Sequence, residues 1–164
     1  MNPSGGGWVI LLTLVVAMVL SVAHLPESWP AWLAWLRPSW LVMVVFFWVI
    51  ELPHRLGLIA MWLLGCLVDV LLAQPLGVNG VVLAGTTYVA WRFFERLRMY
   101  SVIQQAGMIF ILVLGAEVVR SLALIVSSQH QFSFMILLTA LVSAVLWPFA
   151  YLPLMRLRTA LRIE

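Results

Sequence analysis

Residues 102–126 read VIQQAGMIFILVLGAEVVRSLALIV, and the reading of this chain turns on that stretch. It holds no proline and only two formal charges over 25 residues. As a helix it would rise roughly 37 Å, enough to cross the ~30 Å of hydrocarbon in a bilayer with some tilt. Its two charges, Glu117 and Arg120, stand three residues apart and therefore share one helix face. A charge at mid-bilayer costs ~3 kcal/mol or more unless it is paired, so this run predicts a membrane span with something to neutralise inside the protein.

The rest of the chain agrees. Hydrophobic residues make up 65% of the 164 and charged residues 9%, with a mean hydropathy of +1.11. Soluble domains carry roughly a quarter charged residues because their surface faces water. Nine arginines, no lysine and six acids cannot coat a globule of this size, so lipid must cover most of it. The basic balance is not a nucleic-acid signature, because the arginines sit at the ends of apolar runs rather than on one wetted face. The lone Cys66 lies in an apolar run, which excludes a disulfide framework.

Punctuation by Pro, Gly and Arg separates six apolar segments: 8–25, 38–52, 56–73, 78–94, 102–126 and 132–155. They predict an all-α integral membrane protein with six transmembrane helices in a single domain over 1–164. Arg55 follows segment two; Arg92, Arg96 and Arg98 follow segment four; Arg156, Arg158 and Arg162 follow segment six. Arg37 alone stands in the opposite connections. Seven arginines against one place both termini in the cytoplasm by the positive-inside rule. Segment one contains Ser21-Val22-Ala23, a signal-peptidase-like pattern, but residues 1–7 hold no basic residue, so an uncleaved helix is expected. Segment two, short at roughly 22 Å, is expected to begin earlier, kink at Pro38 or thin the bilayer. Trp29, Trp32 and Trp35 in the first outer loop suit a short interfacial helix.

Counted from the outer helix ends, Asp69 in segment three lies ~6 Å deep, Arg120 ~9 Å and Glu117 ~13 Å. The sequence therefore predicts that Arg120 bridges Glu117 and Asp69 within the bundle, as a neutralised network that fixes helix register, as the polar floor of a ligand or ion site, or as a proton relay. The turn Gln74-Pro75-Leu76-Gly77-Val78-Asn79-Gly80 should hold Asp69 near the start of segment four. Glu51-Leu52-Pro53-His54-Arg55 forms the first inner hairpin, with His54 and Arg55 at the headgroups. His24, His54 and His130 stand apart from one another, so no metal site is expected. Thr13, Ala17 and Ser21, with Gly80 and Ala84, form small-residue ridges on which a partner helix could dock. Pro148 is expected to kink segment six by removing a hydrogen bond to Ala144. No catalytic set and no cofactor motif is present in the sequence.

Arg37-Pro38-Ser39-Trp40 opening segment two, Trp48 with Leu52-Pro53-His54-Arg55 closing it, Gly65-x-x-x-Asp69 followed by Leu76-Gly77, and Trp147-Pro148 near the C-terminus resemble the MreD family of rod shape-determining proteins. The resemblance runs from Trp8 to about Arg158. It implies a non-enzymatic, multi-pass component of the bacterial inner membrane, within the rod complex that builds sidewall peptidoglycan. Implied partners are MreC, through its single transmembrane helix, RodA with its partner transpeptidase, and indirectly MreB. A fold similar to the substrate-binding subunits of energy-coupling-factor transporters is also implied, with six helices around an outward-facing pocket. Gln74-Pro75 departs from the Gly- or Ser-rich turn expected of the family. A membrane scaffold that binds MreC is therefore the leading expectation, and a small-molecule or lipid-binding subunit with its pocket at Asp69, Glu117 and Arg120 is the alternative.

Overall fold

A computed structural model describes residues 5–22, 37–126 and 135–160, and all of the regular structure in them is helical. The helices are α1 (Gly5–Val22), α2 (Trp40–Glu51), α3 (Leu58–Leu71), α4 (Val78–Met99), α5 (Val102–Val126) and α6 (Ile136–Ala160). Trp29, Trp32, Trp35, His24, His130 and Arg162 lie outside the described residues.

The shortest helix organises the others. Every residue of α2 from Leu41 to Glu51 is buried, with α1, α4, α5 and α6 packed around it. Its sequence, WLVMVVFFWVIE, is apolar on every side, so it has no face to offer water and gains most by full enclosure. At 12 residues it rises roughly 18 Å, and Pro38 lies ahead of its first turn rather than within it. Pro38 thus marks a start, not a kink. Against α6, Phe46 meets Trp147 edge-on at 5.4 Å between ring centroids, and Phe47 meets Tyr151 at 5.6 Å. The indole of Trp48 donates to the hydroxyl of Thr13 at 2.8 Å, tying α2 to α1.

Helix boundaries follow local chemistry. A reciprocal capping box starts α5: the Ser101 amide donates to Gln104 Oε1, and the Gln104 amide to Ser101 Oγ. Helix α4 runs on to Met99, five residues beyond the expected end at 94, because nothing breaks it before this box. Its last turn carries Arg96 and Arg98, where cations offset the negative end of the helix dipole. At the end of α3 the Gln74 amide donates to the Asp69 carbonyl and the Ala73 amide to that of Val70, a Schellman cap. Ala73 occupies its left-handed position at φ 51°, where glycine is the usual residue. Helix α6 continues through both Pro148 and Pro153.

Helices α5 and α6 are long and apolar enough to cross a membrane, with mean hydropathies of 2.4 and 1.8 over their most apolar windows. Only 17% and 28% of those windows are buried, so both helices direct most of their apolar surface outward. A soluble core helix would do the reverse. Helices α1 and α3 behave alike on their outer faces, exposing Leu11, Leu12, Val16 and Val19, and Ile59, Leu63, Leu67 and Val70.

Candidate functional site

The charged groups of the bundle collect at its two ends, and the richer polar network is built around Gly65. A Cβ there would stand 2.4 Å from both the Asn79 carbonyl oxygen and the Gly80 nitrogen. Glycine is what lets the start of α4 lie directly against α3. Asp69, one turn further along α3, is fully buried and receives that start. Its Oδ2 accepts from the Gly77 amide at 2.8 Å; its Oδ1 accepts from the Asn79 amide at 3.0 Å and the Asn79 side-chain amide at 2.7 Å. A carboxylate at the positive end of a helix dipole, holding amides that have no partner within the helix, is stabilised without a cation. Gly77, at φ +95°, makes the bend that aims these amides.

Asn79 then passes the connection to α5. Its Oδ1 accepts from Arg120 Nε at 2.9 Å, and Arg120 Nη1 pairs with Glu117. The expected bridge from Arg120 directly to Asp69 does not form. Asn79 stands between them, because Asp69 is already satisfied by the end of α4. The path is Asp69, Asn79, Arg120, Glu117, joining α3, α4 and α5. Asn79 is the residue that the sequence reading missed; its position two residues after a left-handed glycine, at a helix start, was the available signal.

This network borders an open cavity of about 380 Å³, within the range of ligand pockets. Glu117, Arg120, Asn79 and Gln74 line it together with Arg37 and Ser39. Arg37 donates to the Ser21 carbonyl at 3.2 Å and so caps the end of α1. The Ser39 amide donates to Ser143 Oγ at 2.9 Å, anchoring α2 to α6. Arg37-Pro38-Ser39 therefore knits three helices at the cavity mouth.

At the opposite end Glu51 closes α2 and pairs with Arg158 of α6. Glu51 is buried, and the pair lies beside the aromatic contacts around Tyr151. Gln105 Nε2 donates to the Leu97 carbonyl at 3.0 Å and joins α5 to the end of α4. Pro53, His54 and Arg55 form the turn between α2 and α3, with His54 and Arg55 exposed.

The small-residue ridges are used inside the chain. Thr13 and Ala17 are buried, Thr13 against Trp48, and Gly80 sits against Trp62 and Cys66, where a Cβ would be 3.1 Å from both side chains. These three positions are not available to a partner helix, which corrects that expectation. Ser21 lines the cavity, and Ala84 is only partly covered. Trp147 is fully buried in the α2–α6 aromatic cluster; Leu76 is exposed beside Gly77. No group of three or more His, Cys, Asp or Glu able to hold a metal occurs among the described residues.

An enclosed central helix, apolar outer faces and a polar cavity at one end define a small all-α membrane protein. The chain belongs to the MreD family of rod shape-determining proteins, whose sequence model matches residues 4–157. It is similar to the rod shape-determining protein MreD of Haemophilus influenzae, being 31% identical over 158 residues that cover 94% of this chain and 93% of that protein. No solved structure matches it. Membership makes it a protein of rod-shape determination, in a family of shape-determining proteins not known as enzymes.

Proposed function

We propose that this chain is a non-enzymatic scaffold of the rod complex, crossing the bacterial inner membrane six times with both termini in the cytoplasm and binding the transmembrane helix of MreC. Through MreC it helps set the state of RodA and its partner transpeptidase, and connects to MreB. The observation that carries this reading is the family match over nearly the whole chain. Arg55, Arg92, Arg96, Arg98, Arg156 and Arg158 at one end support the orientation. The docking face we favour is the outward side of α1, which packs chiefly on α2 and leaves Leu12, Val16 and Val19 exposed.

The test is co-purification with MreC from detergent, comparing the parent chain with Val16→Trp and Leu12→Trp. Loss of MreC from variants that keep their own thermal midpoint supports the face. Undiminished MreC in both removes it, and failure of the parent chain to retain MreC removes the scaffold reading.

The 380 Å³ cavity favours a second reading, in which the same membrane subunit also binds a ligand. An outward-facing pocket is also what the family resemblance leads one to expect.

A further inference from the structure

The polar cavity has an apolar neighbour. A groove of about 340 Å³ lies at the same end, lined by Met18, Val19 and Val22 of α1 and Leu71 of α3. Ser21 and Leu72 line the polar cavity, and their chain neighbours Val22 and Leu71 line the groove. Neighbouring residues on both helices thus line different spaces, which places the two spaces on either side of the seam between α1 and α3. Hydrogen-bonding groups on one side of a seam and hydrocarbon on the other suit an amphiphile rather than a wholly soluble molecule.

Charge narrows the headgroup. Of the charged side chains that line the cavity, Arg37 is engaged with the end of α1, which leaves Arg120 and Glu117 to meet a headgroup. Arg120 uses Nε on Asn79 and Nη1 on Glu117, while its Nη2 has no protein acceptor among the described residues. Glu117 Oε1 takes Arg120, and its Oε2 has no protein donor among them. Arg120 and Glu117 thus offer a cationic donor and an anionic acceptor to the same cavity, which matches a ligand carrying both signs. We propose that the seam holds a zwitterionic phospholipid of the phosphoethanolamine type. Its phosphate lies against Arg120, its primary ammonium against Glu117, and one acyl chain along Met18, Val22 and Leu71. The proposal rests on reading the cavity as a binding site.

The test uses the full chain, delipidated in mild detergent and titrated with short-chain phosphatidylethanolamine, phosphatidylcholine, phosphatidylglycerol and water-soluble glycerophosphoethanolamine, with adducts counted by native mass spectrometry. Phosphatidylethanolamine should bind about tenfold tighter than either other lipid, the worth of one charge-assisted hydrogen bond. Glu117→Gln should erase that preference, and Arg120→Gln should weaken all three lipids. Leu71→Trp, which fills the groove, should weaken the lipids but not glycerophosphoethanolamine. Should Arg120→Gln fail to fold, Glu117→Gln and Leu71→Trp decide alone. Equal binding of the three lipids, lost in Glu117→Gln, overturns the headgroup but keeps a binding cavity. Glycerophosphoethanolamine binding as tightly as the lipid overturns the lipid in favour of a soluble zwitterion. Binding indifferent to every variant overturns both the proposal and the cavity reading.

Discussion

The two ends of the bundle each hold a buried carboxylate, and they treat it differently. At one end Glu51 meets Arg158 directly, against aromatic rings. At the other end Asp69 meets no cation, because three N–H groups from the start of α4 satisfy it. The cation there, Arg120, is held one residue further away by Asn79 and opens on a cavity. A buried ion pair packed against aromatic rings clasps two helices. A relay that ends in a partly satisfied Arg and Glu can also bind something. On our proposal the Glu51 end sets register and the Asp69 end recognises a ligand.

The largest expected effect breaks the recognition end at its base. Gly65→Val would drive a side chain into the backbone of Asn79 and Gly80, which cannot yield without moving α4. A loss of about 3 kcal/mol or more is expected, read as failure to recover folded protein from membranes. Asp69→Ala should cost about 2–3 kcal/mol, since it leaves buried N–H groups unpartnered, and thermal unfolding in detergent would register it. Glu51→Gln should cost about 2 kcal/mol by stranding Arg158, part of which still reaches solvent. If the Glu51 end is only a clasp, the double variant Glu51→Gln/Arg158→Gln should be little worse than the single one, and MreC retention should not change. Smallest, and opposite in sign, Ala73→Gly should raise stability by about 1 kcal/mol by relieving the left-handed alanine. No gain in thermal midpoint would mean that the Schellman cap is not strained there.

Much of this was legible in the residues. The run at 102–126 coincides with α5, because apolar length and a capped start are both local properties. Glu117 and Arg120 are paired as their spacing predicts, since neighbours three apart on a helix meet whatever the tertiary fold. What depended on packing between helices was not legible. Depth counting placed Asp69 and Arg120 at similar levels but could not show that the amides of Gly77 and Asn79 reach Asp69 first. The Glu51–Arg158 pair joins residues 107 positions apart, and no local pattern announces it. The burial of Thr13 under Trp48 is equally invisible in the sequence, because Trp48 lies on another helix. Segment two reads as a short span, and its helix is apolar on every side. Those same properties make it the enclosed centre.

The contrast between clasp and site is tested most directly by one comparison of thermal midpoints. The parent chain, Glu51→Gln and Arg120→Gln are unfolded with and without added phosphatidylethanolamine. A ligand that binds only the folded state raises the midpoint. The account predicts that lipid raises it for the parent and for Glu51→Gln alike, and leaves Arg120→Gln unmoved. Equal stabilisation of all three, or none of the parent, would contradict it.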